Sequence, residues 1–290
     1  MIHIFTEIIN CGKIGRIALK SYCKHNNYPV NVYGTKEDFE CVEKNDKIIF
    51  HEVTDSKILN AYKVDHGGLP MLWAKVIKES GAKTIIHFDS DVLFRAAIVD
   101  ETVELSKEYD LIGPMRHQKQ HCKNIGIPHT TDTIATHLWC INTEKLSNWS
   151  YDILSGMCGL HIPFTIHGDR RMLDYFDPVS YDILRNNGKM YHFDFNDVGA
   201  VDKNYSRENI FSDINCEGVD FGTKLVHFAG VGSGMDAYLN MSEHNEGYAS
   251  FAVKRYALFC KIFYNEDLGM DLNEFKNTLN DKDLFLRELV

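Results

Sequence analysis

The first half of the chain alternates short apolar stretches with segments whose apolar residues recur at helical spacing. The strand patterns occupy residues 2–9, 30–33, 47–53, 84–88 and 111–114, and the helical patterns occupy 14–25, 70–80 and 96–109. Strands that alternate with helices of this length cover both faces of a sheet. The alternation therefore predicts an α/β fold with a mixed, mostly parallel sheet flanked by helices.

The length of the chain is sufficient for a large core. It has 290 residues, of which 44% are hydrophobic, and at this size about three-quarters of the unfolded surface can be buried. No repeat or linker interrupts residues 1–235, whereas residues 236–290 carry aromatic and charged helical patterns. The sequence predicts one α/β domain over 1–235 and a helical extension over 236–290 that packs on it.

The charge balance argues against one large class of partners. The net charge is −10, from 31 basic and 41 acidic residues. A duplex-binding surface needs a basic excess to neutralise phosphates. We therefore expect no nucleic-acid partner.

The chain offers little sign of export or of a membrane span. It begins without a basic segment before its first apolar run, and no stretch approaches the roughly 20 apolar residues of a spanning helix. Its eight scattered cysteines suit a reducing compartment, so we expect a cytoplasmic protein. The aromatic helical pattern over 248–264 also contains basic residues, which is compatible with peripheral membrane contact, but packing on the main domain is the commoner cause of such a stripe.

An acidic triplet follows the fourth predicted strand. The sequence TIIHF runs directly into Asp89, Ser90 and Asp91 before the apolar pattern resumes. In open α/β sheets, ligands bind outside the carboxyl ends of the strands. Two neighbouring carboxylates repel each other and favour a bound cation, and their hard oxygen ligands suit Mg²⁺ or Mn²⁺. A plain turn would more often contain Gly, Pro or Asn after the strand.

A histidine at the end of a late strand is a candidate third ligand. His227 lies in the apolar stretch LVHF, which leads into a loop containing Gly230, Gly232 and Gly234. Glycine-rich loops let backbone N–H groups approach an anion. Imidazole is a better ligand for Mn²⁺ than for Mg²⁺, so the histidine favours manganese, with magnesium as the alternative.

A strand followed by Asp-x-Asp, together with a late His-x-x-Gly-x-Gly-Ser loop, resembles the metal-dependent glycosyltransferases of the GT-A fold. The late loop is similar to that of glycogenin-like enzymes, although Ser233-Gly234-Met235 stands where they have Lys-Pro-Trp. The resemblance implies a GT-A fold over residues 1–235. It also implies transfer of a sugar from a nucleoside diphosphate, expected to be UDP, to a glycan or protein-linked acceptor.

The resemblance also implies roles for individual residues. Asp91 and His227 would bind the metal, and Asp89 would bind the metal or the ribose of the donor. Further donor contacts are implied for three groups: the loop Asn10, Cys11, Gly12 and Lys13; Gly67, Gly68 and Lys75 around the helix before the Asp-x-Asp strand; and Gly230, Gly232 and Ser233 in the late loop. Lys75 would contact the diphosphate, but the interpretation as an ordinary exposed lysine is slightly favoured.

A candidate catalytic base lies in the segment HGDRRMLDYF. Asp169 is predicted to begin a helix that carries Met172, Leu173 and Phe176. The resemblance places an acidic residue at the start of an acceptor-side helix, where it can activate the acceptor hydroxyl. The alternative is that Asp169 only caps this helix, and the pattern does not decide between inversion and retention.

Two other functions fit part of the pattern. Asp89 and Asp91 also resemble the aspartyl motif of haloacid-dehalogenase-type phosphatases, but that motif normally follows the first strand, and here more than two α/β units precede it. A non-catalytic nucleotide-sugar-binding protein would keep the metal ligands and show no turnover.

Overall fold

The computed structural model describes residues 1–65, 68–116, 133–146, 163–166, 169–172, 176–198 and 219–228. The strands in these ranges are β1 Ile2–Glu7, β2 Val30–Gly34, β3 Ile48–Glu52, β4 Thr84–Phe88, β5 Val92–Phe94, β6 Leu111–Arg116, β7 Thr133–Ile134, β8 Leu138–Asn142, β9 Pro163–Ile166, β10 Asp169–Met172, β11 Met190–Phe193, β12 Val219–Phe221 and β13 Leu225–Phe228. The helices are α1 Gly12–His25, α2 Lys36–Glu40, α3 Ser56–Asp65, α4 Gly68–Ser80, α5 Ile98–Leu105, α6 Asp177–Arg185 and α7 Phe195–Val198, with a short 3₁₀ turn at Thr143–Lys145.

The main sheet is mixed and mostly parallel, which confirms the predicted architecture. Its strand order is β11-β6-β8-β4-β1-β2-β3, and β7 pairs with β6. The pairs β3–β2, β2–β1, β1–β4 and β11–β6 are parallel, whereas β8 runs antiparallel to both of its neighbours. The carboxyl ends of β1 and β4 therefore lie side by side at one edge of the sheet.

Two hydrophobic cores lie on opposite faces of this sheet. Alternate residues of β1 divide between them: Ile4 packs with α1 and α5, and Phe5 packs with α3, α4 and α6. This alternation follows from the period of two in a strand. Trp139, which a sugar site could use for stacking, is fully buried in the second core, where it packs on Phe5 and Phe176.

A second, three-stranded sheet has the order β12-β13-β5. Strand β5 directly follows the acidic triplet, and β13 contains His227. This antiparallel pairing brings a late segment of the chain to the carboxyl end of β4.

The helix predicted to begin at Asp169 is wrong. Residues 169–172 form β10, in which Asp169 pairs antiparallel with Ile166 of β9. Two residues separate these strands in the sequence, which is a common hairpin loop length. The helix begins instead at Asp177, where Pro178 occupies the first turn and provides a fixed φ.

Other expectations concern residues outside those described. The whole of the predicted extension over 236–290 lies there, including the aromatic pattern at 248–264. Within the described ranges, none of the helices has the length and hydropathy needed to cross a membrane. None of the four cysteines in these ranges, Cys11, Cys23, Cys41 and Cys140, forms a disulfide bond.

Candidate metal and donor site

The three predicted metal ligands converge in space. His227 Nε2 lies 3.6 Å from Asp91 Oδ1 and 3.8 Å from Asp89 Oδ2. One ligand atom from each residue can be chosen so that all three lie within 4.8 Å of one another. The Asp91 and His227 side chains are only 9% and 10% exposed, whereas Asp89 is 20% exposed. A cation placed between them would contact two carboxylates and one imidazole.

Strand pairing explains this convergence. In the β5–β13 ladder His227 lies opposite Val92, the residue that follows Asp91. The backbone N–H of Phe228 donates to the Asp91 carbonyl at 3.0 Å, and the N–H of Arg95 donates to the Lys224 carbonyl at 2.9 Å. The register of β13 against β5 therefore fixes the imidazole beside the acidic triplet.

The donor set fits a divalent cation. Two carboxylates supply hard oxygen ligands with a charge of −2, and the imidazole of His227 favours Mn²⁺ over Mg²⁺. Without a cation, the proximity of Asp89 and Asp91 is unfavourable because like charges repel. The geometry thus supports a metal site.

A buried Glu–His pair lies beneath Asp89, and the sequence analysis missed it. Glu7, at the end of β1, lies 2.8 Å from His87 Nε2 and also accepts from Trp73 Nε1 at 3.4 Å. His87 is fully buried and its Nε2 lies 3.9 Å from Asp89. Glu7, His87 and Asp89 meet a distance criterion for a metal cluster, but the Nε2 atom is already hydrogen-bonded to Glu7. We therefore interpret Glu7 and His87 as support for Asp89, and the signal was an acidic residue ending an apolar strand.

A second histidine packs directly on the metal-ligand candidate. The rings of His137 and His227 are stacked with centroids 4.2 Å apart and planes 13° from parallel. Burial, together with the nearby His227, lowers the pKa of His137 well below its ordinary value, so this ring is neutral at neutral pH. The carbonyl of His137 also accepts from the Asp89 N–H at 3.1 Å. His137 therefore restricts both the His227 ring and the backbone of Asp89.

The loop after β1 also borders the acidic triplet. Cys11 Sγ lies 3.3 Å from Ser90 Oγ. Asn10 adopts a left-handed φ of 61°, and its N–H donates to Asp38 at 3.2 Å. A second oxygen of Asp38 accepts from the Gly12 N–H at 3.2 Å. The loop predicted to border the donor thus lies beside the predicted metal ligands, at the carboxyl ends of β1 and β4.

The structure says less about the roles of the remaining predicted site residues. Gly68 begins α4 and packs against Tyr62, Lys75 is an exposed residue of α4, and Lys13 lies in α1. Asp169 begins β10, and its role as a base stays a prediction. Gly67, Gly230, Gly232 and Ser233 lie outside the described residues.

No family model and no curated protein sequence matches this chain. One solved structure similar to it is that of a galactosyltransferase, LgtC, in complex with donor and acceptor sugar analogues. The two chains are 13% identical, the alignment covers 96% of this chain and 100% of that chain, and the TM-score is 0.49. Mouse xyloside xylosyltransferase 1 is similar at 14% identity, 78% and 96% coverage and TM-score 0.46. A nucleotide-diphospho-sugar transferase from Desulfovibrio desulfuricans G20, described as putative, has 9% identity, 90% and 97% coverage and TM-score 0.41.

Proposed function

We propose that this protein is a glycosyltransferase that uses Mn²⁺, or alternatively Mg²⁺, and transfers a sugar from a nucleoside diphosphate, UDP in the first instance, to a glycan or protein-linked acceptor. The observation that carries the proposal is the convergence of Asp89, Asp91 and His227 beside the loop after β1. A cation site next to a backbone loop at the carboxyl ends of parallel strands suits a nucleoside diphosphate, which needs both charge neutralisation and a surface for its nucleoside.

Each residue of the site would have its own role in sugar transfer. A bound divalent cation supplies Lewis-acid stabilisation of the negative charge that develops on the leaving diphosphate. Asp91 and His227 would hold the cation, and Asp89, supported from below by His87, would hold the cation or the ribose. The loop residues Asn10 and Cys11 would border the nucleoside. Asp169 is proposed as the group that takes the proton of the acceptor hydroxyl in an inverting reaction.

Replacement of Asp91 tests the metal role. Purified protein is incubated with a panel of nucleotide sugars, with Mn²⁺ or with EDTA, and release of the nucleoside diphosphate is measured. We expect the wild type to release UDP only with the metal and Asp91→Asn to lose about 100-fold or more of this activity, since a missing ligand removes charge stabilisation in the transition state. Asp46→Asn, a change at an exposed carboxylate, is the matched control.

Three results would count against the proposal. Full activity of Asp91→Asn would exclude its role as a metal ligand. Tight binding of UDP with no turnover on any nucleotide sugar or acceptor would identify a non-catalytic binding protein. Hydrolysis of phosphomonoesters that is blocked by fluoride–metal phosphate mimics would favour the phosphatase.

A further inference from the structure

His137 contacts two of the three candidate metal ligands through different parts of the residue. Its ring stacks on the ring of His227, with centroids 4.2 Å apart and planes 13° from parallel. Its carbonyl oxygen accepts a hydrogen bond from the backbone N–H of Asp89 at 3.1 Å. Because a substitution keeps the backbone carbonyl, variants of His137 test the ring.

Strand pairing brings the two histidine rings together from different sheets. Phe88, the last residue of β4, lies opposite Leu138, the first residue of β8. The hydrogen bond from Asp89 to His137 continues this antiparallel ladder by one residue. His137 therefore belongs to the edge of the main sheet, whereas His227 belongs to the three-stranded sheet. The stacked rings join these two sheets beside the acidic triplet.

The His137 ring is a fixed surface. The residue is 1% exposed, and side chains in a close-packed interior have few rotamers open to them. Its Nε2 atom makes no hydrogen bond with any residue in the described ranges. A ring without nitrogen atoms could therefore replace this imidazole without losing a bond from Nε2 to the described chain.

A fixed ring beside a metal ligand lowers the cost of metal binding. A free imidazole rotates about two side-chain dihedral angles, and a ligand that binds it has to select one orientation. Metal-binding histidines are generally oriented by a neighbouring group, and loss of that group weakens metal binding. Stacked on His137, the His227 ring already has its Nε2 3.6 Å from Asp91 and 3.8 Å from Asp89. The imidazole is thus oriented when the chain folds.

Resting on the proposed function, we propose that His137 is a positioning residue whose ring orients the imidazole of His227 for the divalent cation. The candidate ligand cluster consists of Asp89, Asp91 and His227, so His137 acts through His227. The contribution comes from contact between two flat rings. Another aromatic side chain should supply it, and an aliphatic side chain should not.

The test measures the Kd of Mn²⁺ from the electron paramagnetic resonance signal of the free ion. His137→Leu removes the ring and keeps a bulky side chain, so we expect the Kd to rise about 3- to 10-fold, as for one lost aromatic contact. His137→Phe keeps a ring and should bind Mn²⁺ nearly as tightly as the wild type. Tyr191→Leu, which removes a ring that contacts Tyr109, is the control and should not change the Kd.

A second background separates orientation of His227 from general loosening of the site. In His227→Gln the ring that His137 orients is absent, so His137→Leu should cause no further loss of Mn²⁺ affinity. A merely structural role would weaken binding by the same factor in both backgrounds. If His137→Leu does not fold, His137→Met, whose flexible side chain adapts to irregular space, replaces it in each comparison.

Three results would each overturn the role of His137. They are an unchanged Kd in His137→Leu, equal losses in His137→Leu and His137→Phe, and an equal loss from His137→Leu in both backgrounds. If one of these results accompanies weak Mn²⁺ binding by Asp91→Asn, the proposed function stands and only this inference fails. If Mn²⁺ does not bind the wild type, with or without UDP, both proposals are overturned.

Discussion

Glu7 is a buried carboxylate that pairs with His87 Nε2 at 2.8 Å and accepts a hydrogen bond from Trp73 Nε1 at 3.4 Å. Phe5, Trp73 and Trp139 surround the His87 ring with centroids 4.8–4.9 Å away. The Glu7–His87 pair is therefore enclosed by aromatic rings, where an unpaired polar atom is costly.

Removal of the Glu7 carboxylate should therefore be costly. We expect Glu7→Ala to lower the free energy of unfolding by about 2–4 kcal/mol, because it leaves the buried Nε2 of His87 and the Trp73 N–H without their partner. Glu7→Gln retains an acceptor oxygen and should lose less than half as much. Urea denaturation of both variants measures the difference, and equal losses would show that hydrogen bonding is not the cause.

His3 gives the folded protein a sensitivity to acid. Burial, with a smaller effect of the nearby His51, lowers the pKa of His3 to about 4. Its Nε2 also lies 3.3 Å from the Tyr33 hydroxyl. In the unfolded chain this imidazole has its ordinary pKa of 6.5, so between these two values the unfolded state binds more protons than the folded state. Stability that depends on His3 is thus complete above pH 6.5 and falls as the pH falls toward 4.

Replacement of His3 should flatten this acid dependence. We expect His3→Gln to lose less stability than the wild type between pH 6.5 and 4, because glutamine binds no proton in this range. Chemical denaturation at half-unit pH intervals measures the slope, and each variant is compared with its own value at pH 7.5. Parallel curves for the two proteins would show that His3 does not titrate differently on folding.

At the scale of elements, Asp38 of α2 connects the donor loop to the second α/β unit. Its carboxylate accepts from the backbone N–H groups of Asn10, Gly12 and Thr35 and from the Thr35 hydroxyl, over distances of 2.8–3.2 Å. The Thr35 hydroxyl in turn accepts from the Asp38 N–H, so the same pair forms a capping box for α2. At Gly12, a Cβ atom would lie 2.7 Å from the backbone of Asp38. The start of α1 therefore packs directly on α2.

Replacement of Asp38 should affect both the stability of the protein and its binding of the donor. We expect Asp38→Ala to lower the free energy of unfolding by about 2–4 kcal/mol, through loss of the cap and of the bonds to the loop. UDP affinity should fall as well, because the loop over 10–12 loses its position. Glu40→Ala, at an exposed residue of the same helix, should change neither property. Normal UDP binding by Asp38→Ala would show that the loop over 10–12 does not belong to the donor site.

At the scale of the whole molecule, the metal site joins distant parts of the chain. Asp89 and Asp91 lie in the turn between β4 and β5, whereas His227 belongs to β13, which comes late in the sequence. A cation bound by all three would bind the folded chain and not the unfolded one. Metal binding should therefore be coupled to global stability.

Thermal unfolding with and without Mn²⁺ measures this coupling. At a concentration about 100-fold above Kd, a ligand of the folded state adds about 2.7 kcal/mol, so the melting temperature of the wild type should rise by several degrees. The rise should be at least halved in His227→Gln and unchanged in Asp46→Asn, and EDTA should reverse it. An equal rise in His227→Gln would remove His227 from the ligand set.

Residues that satisfy a local pattern were predictable from the sequence. Buried strands have a period of two or continuous apolar runs, and helices have a period near 3.6, so the main strands and the helices α1 and α4 were found. The short helix α2 and the helix α3 were not, because five residues carry little periodicity and α3 has only a weakly amphipathic pattern. The prediction of a helix beginning at Asp169 was wrong, because a short charged segment can equally form one strand of a β-hairpin.

The sequence by itself determined the α/β alternation and the position of Asp89 and Asp91 after a buried strand, because both depend on neighbours along the chain. It offered His227 as a third ligand through resemblance, and only the β5–β13 register placed the imidazole within 4 Å of both aspartates. The Glu7–His87 pair had only a weak local signal, an acidic residue at the end of an apolar strand. Such contacts join residues far apart in sequence, and packing of the two faces of the sheet, which no periodicity records, decides which of them meet.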